Sequence, residues 1–247
     1  MIIILSPAKS FATNILPSDR LTMPIFLQEA NMLAQNLQQF SAKQLQNICH
    51  ISANLANINC LRWQNFALQA TNPAIFAFNG DAYKNLDRGS YKNAELDYAQ
   101  QKIMILSGLY GILSPFDAIK NYRLDMSTSF YQYDFFINNL YEFWRKKVSA
   151  VLAKQSLIIN LCSQEYSDCL DRQQLDNNTK IIDVSFLDNK NGILQKIGIN
   201  SKKARGSMVD LMIKNKIQTI DEIKFLQPLN YKLNHDLSCS QHLVFVK

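Results

Sequence analysis

The sequence predicts an α/β fold: a mixed, mostly parallel sheet flanked by helices, with a hairpin-like helical insertion near residues 25–70. Two observations predict it. Short apolar runs that end in glycine, serine or proline alternate with longer stretches of helical periodicity, and this alternation favours parallel strands. No repeat, low-complexity run or long linker divides the 247 residues, so we expect a single domain over 1–247.

The amino-terminal part of the chain combines one strand with a run of helices. Residues 2–5 are apolar and stop at a serine–proline pair, which predicts a buried strand. Pro24 suits the first turn of a helix of about 15 residues. Ser41 has a glutamine three residues on, as in a capping box, and Ser52 starts a further turn. For residues 41–68 the sequence therefore predicts consecutive short helices joined by tight turns.

The middle of the chain alternates between predicted strands and helices. Residues 74–78 are apolar and end in Asn-Gly-Asp, which predicts a strand that meets a turn. A helix around 94–101 precedes a second strand at 102–108. Residues 135–154 carry an amphipathic helical pattern, and the apolar run at 156–162 predicts another strand.

The carboxyl-terminal part predicts a hairpin followed by helices. Residues 180–199 contain two apolar runs on either side of a turn with Asn and Gly, so they should pair antiparallel. Ser201 is the expected N-cap of a helix that runs to about Lys216, and a further helix follows it. Residues 242–246 predict a closing strand.

The composition excludes several classes of protein. Hydrophobic residues make up 47% and charged residues 19%, which excludes a disordered chain. No run of about 18 apolar residues predicts a membrane span, and the amino terminus is too short to be a signal peptide. Five cysteines without a CxxC motif predict a reducing cytoplasm rather than a disulfide framework or a structural zinc site.

The net charge of +6 is concentrated in one segment. Residues 190–216 hold seven basic groups and one acidic group, whereas the basic and acidic groups of the remaining chain cancel. A local basic segment is the usual footprint of a polyanionic partner, and a solvated basic helix face is the alternative. The basic residues are Lys190, Lys196, Lys202, Lys203, Arg205, Lys214 and Lys216.

Four apolar segments end in turns of small and polar residues. In open α/β sheets ligands bind outside the carboxyl ends of the strands, where glycine lets the backbone approach a ligand. For each turn alone, the turn preference of Ser, Gly and Asn is the simpler explanation, whereas the four together favour a ligand crevice. The predicted crevice residues are Ser6, Gly80, Asp81, Tyr83, Ser107, Gly108, Tyr110, Gly111, Tyr122, Ser163, Glu165 and Tyr166.

A set of motifs recurs along the whole chain in a specific order. The motifs are SPAK at 6–9, GDAY at 80–83, LSGLYGIL at 106–113, YRLDM at 122–126, NLCSQEY at 160–166 and KKARG at 202–206. With this order and spacing the chain resembles the YaaA family of bacterial peroxide-stress resistance proteins. The resemblance implies a role in survival of hydrogen peroxide, restraint of free intracellular iron, and DNA binding. It also implies an unusual α/β fold with a positively charged cleft and a helix-hairpin-helix-like element.

The resemblance and the basic segment together predict the DNA contacts. Lys202, Lys203 and Arg205 fall on a predicted helix start, where free backbone N–H groups and cations suit a phosphate. With Lys9 they are the expected main contacts, and Arg123 is a further one. Phosphate contacts of this kind bind DNA without strong sequence specificity.

The helix-hairpin-helix-like element of the family falls at residues 41–62. Such a hairpin has glycine in its tight turn, so that backbone N–H groups reach a phosphate, and Asn57 stands at that position here. Asparagine tolerates the left-handed conformation, so a DNA-binding turn is one interpretation. Plain packing of two helices is the other.

The alternative function is an enzyme that acts on a nucleotide or nucleobase in the crevice. A small phosphorylated ligand would fit the same residues. Asp81 and Glu165 are the candidate catalytic residues, because a pair of carboxylates is suited to general acid–base chemistry. Ser6 and Lys9 have the spacing of an S-x-x-K motif, but the partner motifs S-D-N and K-T-G are absent, which disfavours acyl-enzyme chemistry. No P-loop or G-x-G-x-x-G is present, and we expect no cofactor.

Four tyrosines beside the predicted turns have two interpretations. They suit stacking on a nucleobase, or they belong to the edge of the core. Metal binding is weakly supported, because the three histidines lack ligand spacing. An effect on iron therefore requires no iron site. The tyrosines are Tyr83, Tyr110, Tyr122 and Tyr166.

Overall fold

In the computed structural model, which describes residues 1–13, 15, 19–175 and 179–247, eight strands form one sheet and two more form a small second sheet. The strands are β1 (Ile2–Leu5), β2 (Asn72–Pro73), β3 (Ile103–Ser107), β4 (Gly111–Leu113), β5 (Ala118–Ile119), β6 (Leu157–Leu161), β7 (Lys180–Lys190), β8 (Ile193–Gln195), β9 (Lys232–Leu233) and β10 (His242–Val246).

The helices cover the sheet and form the amino-terminal insertion. No helix that the described residues form is long and apolar enough to cross a bilayer. The α-helices are α1 (Leu27–Leu37), α2 (Ala42–Cys49), α3 (Ala53–Gln64), α4 (Ala74–Ala77), α5 (Asn93–Lys102), α6 (Leu140–Leu152), α7 (Gln164–Ser167), α8 (Arg172–Leu175), α9 (Gly198–Lys214) and α10 (Ile220–Lys224). Short 3₁₀ turns lie at Phe66–Leu68, Tyr83–Asn85 and Pro228–Asn230.

The main sheet is mixed and mostly parallel, as the sequence predicts. Its strand order is β4-β3-β1-β6-β7-β10-β9, and β8 pairs with β7 beside this path. The inner strands β3, β1, β6, β7 and β10 are parallel, whereas β4, β9 and β8 pair antiparallel with their neighbours. The parallel strands are apolar because helices cover both faces of such a sheet.

The order of the strands reverses at β1. From β1 the chain passes to β3 on one side, and it later crosses to β6 on the other side of β1. In an open α/β sheet, such a reversal leaves a crevice outside the carboxyl ends of the strands that flank it. The ends of β1 and β6 therefore mark the place where a ligand site is expected.

The N-caps predicted from the sequence define the starts of helices α2 and α3 in the insertion. The Ser41 side chain accepts a hydrogen bond from the Gln44 N–H, and Gln44 caps in return, so the predicted capping box is confirmed. The Ser52 side chain caps α3 by accepting a hydrogen bond from the Leu55 N–H. Between them α2 ends at His50, whose φ of +50° is the left-handed conformation that turns the chain into α3.

One predicted strand is wrong. In the predicted strand at 74–78, Ala74–Ala77 form the single-turn helix α4, after the proline that ends β2. A short apolar run suits a buried helix as well as a buried strand. The Arg88 guanidinium favours the helix, because it donates hydrogen bonds to the carbonyl oxygens of Ile75 and Phe78 at 2.8 and 3.0 Å.

Three predicted boundaries also differ from the structure. Asn57 lies inside the continuous helix α3, so no tight turn exists at that position. The helix predicted over 135–154 begins only at Leu140, because the Asn139 side chain caps it. The hairpin predicted over 180–199 is confirmed for β7 and β8, but its second strand ends at Gln195.

Candidate functional site

A cavity of about 540 Å³ opens at the carboxyl ends of β1 and β6. Its walls come from the segment after β1, the turn between α4 and α5, the start of α7, and helix α9. This is the crevice that the reversal of strand order creates. The lining residues include Ser6, Pro7, Lys9, Asn79, Gly80, Asp81, Tyr83, Lys84, Ser163, Gln164, Glu165, Tyr166, Lys202 and Arg205.

Hydrogen bonds at Ser6 join three of the four walls. The Ser163 backbone N–H donates to the Ser6 hydroxyl at 2.8 Å, and the hydroxyl oxygens of the two serines lie 3.2 Å apart. The Tyr83 hydroxyl donates to the Ser6 carbonyl oxygen at 3.0 Å. Burial raises the pKa of Tyr83, which keeps this donor protonated. The floor of the cavity is therefore held in one arrangement.

Arg205 brings a buried positive charge to the cavity. Its side chain is only 7% exposed, and within the described part of the chain it has no hydrogen bond or ion pair. Burial lowers the pKa of the guanidinium, but an arginine stays charged in proteins. The nearby Cys162 thiol is protonated, since burial raises its pKa to about 12 despite the Arg205 charge. The charge of Arg205 is thus uncompensated by its neighbours.

Three lysines surround the mouth of the cavity. Lys9, Lys84 and Lys202 are exposed and line it. Lys9 donates to the Asp125 carboxylate at 2.8 Å. Among the described residues, neither Lys84 nor Lys202 forms an ion pair. These two lysines and Arg205 leave the cavity with an excess of unpaired positive charge.

Two carboxylates line the same cavity and differ in their hydrogen bonding. Glu165 accepts a hydrogen bond from the Ser127 hydroxyl at 3.1 Å. The Asp81 side chain has no hydrogen-bond partner within the described residues. Asp81 is therefore the carboxylate that is free to contact a ligand. No group of three or more acidic, histidine or cysteine side chains in the described part of the chain is arranged to hold a metal ion.

Gly206 allows α9 to approach the cavity closely. A Cβ atom on this residue would lie 1.9 Å from the Ala82 carbonyl oxygen, a contact that only glycine avoids. Further along the helix, the Asp210 carboxylate accepts hydrogen bonds from the Tyr91 hydroxyl and the Asp87 N–H at 2.7 and 2.8 Å. These contacts fix the part of α9 that carries Lys202 and Arg205 against the turn at 79–84.

The comparisons with known proteins assign the family. A family model described as "Peroxide stress protein YaaA" matches residues 1–237. The chain belongs to this family. Curated relatives named UPF0246 protein from Rickettsia rickettsii (strain Iowa) and Crocosphaera subtropica are 39% and 36% identical, each over 254 aligned residues that cover 100% of both chains. The family supports a role in peroxide stress.

Four of the YaaA-family motifs meet at the cavity. SPAK supplies Ser6 and Lys9, GDAY supplies Gly80, Asp81 and Tyr83, and NLCSQEY supplies Ser163, Glu165 and Tyr166. KKARG contributes its first lysine and its arginine. Lys84 was not singled out in the sequence; its position directly after GDAY is the signal that marks it.

The fourth predicted turn packs in the interior instead. The Ser107 hydroxyl hydrogen-bonds the Tyr122 hydroxyl at 2.7 Å and accepts from the Tyr110 N–H at 2.9 Å. Gly111 has a φ of +69°, and a Cβ there would lie 2.5 Å from the Trp144 ring. The predicted crevice residues that do not line the cavity are Ser107, Gly108, Tyr110, Gly111 and Tyr122.

Two predicted DNA contacts also lie outside the cavity lining. Lys203 is exposed on another side of α9 from Lys202. The Arg123 guanidinium contacts the Asp125 carboxylate at 3.3 Å, the same group that Lys9 binds. Arg123 is therefore joined to Lys9 at the mouth through the shared Asp125 carboxylate.

The KKARG motif does not lie at a helix start. Helix α9 begins at Gly198, and the buried Ser201 is inside it, with its N–H donating to the Ile197 carbonyl oxygen. Lys202, Lys203 and Arg205 thus lie beyond the first turn, where the backbone N–H groups are used within the helix. Any anion here is bound by side chains, and not by free helix N–H groups.

Proposed function

We propose that this YaaA-family protein acts in peroxide stress by binding DNA at the mouth of the cavity, and so helps limit iron-driven oxidative damage. The observation that carries the proposal is the convergence of Lys84, Lys202 and Arg205, without carboxylate partners, where β1 and β6 end. Unpaired cations on a concave surface attract the phosphate backbone independently of sequence.

The dimensions of the site support contact with the backbone rather than with base edges. A duplex is too wide for a cavity of about 540 Å³, so it would lie across the mouth and meet the exposed lysines. Phosphate contacts fix a protein on DNA but carry no sequence information. A protein bound in this way covers the backbone and keeps iron and peroxide from the DNA beneath it.

The DNA contact is tested by Lys202→Gln against a matched control. We expect this change to reduce the slope of log affinity against log salt by about 0.9, the value for one phosphate contact. Lys203→Gln removes the same charge from the adjacent residue, which does not line the cavity, and should leave the slope unchanged. Fluorescence anisotropy with a labelled duplex measures both. Equal losses would place DNA on the wider helix face, and no binding by the wild type would exclude DNA as the partner.

The second candidate function is an enzyme that acts on a nucleotide or nucleobase. The free Asp81 carboxylate favours it, because a passive DNA clamp gains nothing from an anion in its binding surface. The volume of the cavity also lies within the range of small-molecule sites, about 300–1,000 Å³.

Asp81→Asn separates the two candidates. An enzyme should lose turnover while it still binds, whereas a clamp should bind DNA as tightly as before or more tightly, because one repulsive charge is gone. Asp134→Asn is the control, since Asp134 is exposed and lies outside the cavity. Mass spectrometry of nucleotides and damaged oligonucleotides after incubation detects turnover. Absence of any product with the wild type would remove the enzyme from consideration.

A further inference from the structure

The floor of the cavity holds a guanidinium without a counter-charge. Arg205 is 7% exposed, and its Nε has no hydrogen-bond partner among the described residues. A buried charge without a partner destabilises the folded state, and an anionic ligand would remove that cost. The position of Arg205 therefore points to an anion that binds inside the cavity, deeper than the lysines of the mouth.

The groups that share the cavity with Arg205 match the oxygens of a phosphate. Ser6 and Ser163 place two hydroxyls 3.2 Å apart at the ends of β1 and β6. When the Ser6 hydroxyl donates to Ser163, the Ser163 O–H proton is available to an acceptor. Guanidinium and hydroxyl donors together are a common donor set for phosphate oxygens, and Lys202 adds a second cation.

The remaining polar groups indicate what the phosphate is attached to. Asp81 and Glu165 line the same cavity, and carboxylates only accept hydrogen bonds. They suit the hydroxyl groups of a sugar or the amino group of a base, and they would repel a second phosphate. A ligand with one phosphate and several donors, such as a nucleotide unit, complements both sets.

The depth of Arg205 discriminates between kinds of phosphate. An internal phosphodiester is attached to the chain on two sides, so it stays at the mouth with the exposed lysines. A terminal phosphate monoester is attached on one side only and can enter the cavity. It also carries up to two negative charges, which suits a site with two unpaired cations.

We propose that Arg205, Ser6 and Ser163 form a subsite for a phosphate monoester, at the end of a nucleic-acid strand or on a free nucleotide. This inference rests on the proposed function, which it refines: the protein binds DNA at phosphorylated ends rather than along an uninterrupted duplex. Radical damage to deoxyribose breaks strands and leaves phosphate-bearing ends, so such a subsite would direct the protein to sites of peroxide damage.

The test compares two oligonucleotides of one sequence that differ only in a 5′-phosphate or a 5′-hydroxyl. We expect the wild type to bind the phosphorylated form at least tenfold more tightly by fluorescence anisotropy with a 3′ label. Adenosine monophosphate should compete with it. Arg205→Met, which keeps the length and burial of the side chain, should bind both forms equally. Lys203→Gln should keep the preference.

A second variant tests the subsite even if Arg205→Met does not fold. Ser163→Ala removes one hydroxyl and no charge, and it should reduce the preference about threefold with the circular dichroism spectrum unchanged. Equal affinity of the wild type for both oligonucleotides, with salt-dependent DNA binding intact, would overturn the subsite and leave the DNA-binding proposal standing. Binding of adenosine monophosphate that Arg205→Met abolishes, with no binding of either oligonucleotide, would support the subsite and overturn DNA as the partner.

Discussion

Gly206→Ala should destabilise the protein by about 3 kcal/mol, at the upper end of the usual cost of overpacking. The new Cβ would lie 1.9 Å from the Ala82 carbonyl oxygen and 2.6 Å from its carbon. These are backbone atoms that no side-chain rotation can move, so α9 must shift away from the turn at 79–84. The same shift would carry Lys202 and Arg205 away from the cavity and weaken ligand binding.

Gly198→Ala is the matched control in the same helix. A Cβ at Gly198 would meet no atom within 4 Å, so alanine should be neutral or stabilise by up to about 1 kcal/mol through helix propensity. Urea denaturation of the wild type and both variants gives the comparison. If Gly206→Ala is as stable as Gly198→Ala, the close contact between α9 and the Ala82 turn does not exist in solution.

The protein should lose stability steeply above pH 9. Burial raises the pKa of the Cys49, Cys162 and Cys169 thiols from 9.0 to about 12. Between those values a thiol ionises in the unfolded chain but stays protonated in the folded one, so the unfolded state is favoured as the pH rises. Each thiol should cost roughly 1 kcal/mol or slightly more at pH 10, so the three together should cost a few kcal/mol.

Buried tyrosines should extend this loss above pH 10. Burial raises the pKa of Tyr110 from 10.0 to about 12, and the pKa values of Tyr83 and Tyr122 are also raised. Urea denaturation at pH 8, 9 and 10 measures the thiol contribution before the tyrosines dominate. Cys169→Ala should make the fall about one third smaller. A stability that stays level from pH 8 to pH 10 would show that the thiols are not buried as described.

The sequence predicts the inner strands well, because a parallel strand between two layers of helices is a short apolar run with a sharp end. The prediction for the segment at 74–78 is wrong for the same reason. This segment is also a short apolar run, but most of it folds as a single helical turn. What decides its conformation is Arg88, which satisfies the carbonyl oxygens of the helix. A contact between an arginine side chain and the backbone of a segment ten or more residues earlier produces no hydrophobic periodicity that a sequence analysis could detect.

The candidate site is only partly predictable. Parallel topology brings the ends of β1 and β6 together, so the motifs that follow them meet at one edge. The start of α9 gives no signal, because Ile197 stands at the N-cap and has no capping side chain. The sequence therefore suggests Ser201 as the start and places Arg205 in the first turn of the helix. The burial of Arg205 depends on the approach of α9 to Ala82, which only the three-dimensional packing shows.

The central place of β1 in the sheet also governs the order in which the molecule is assembled during synthesis. Ile3 pairs with Ile103 on one side and with Ile159 on the other, so β1 leaves the ribosome long before either neighbour. Contacts so distant along the chain form slowly, and four apolar side chains stay without a partner strand in the meantime. The edge that carries the candidate site, which needs both Leu5 and Leu161 in place, is therefore one of the later parts of the nascent protein to form.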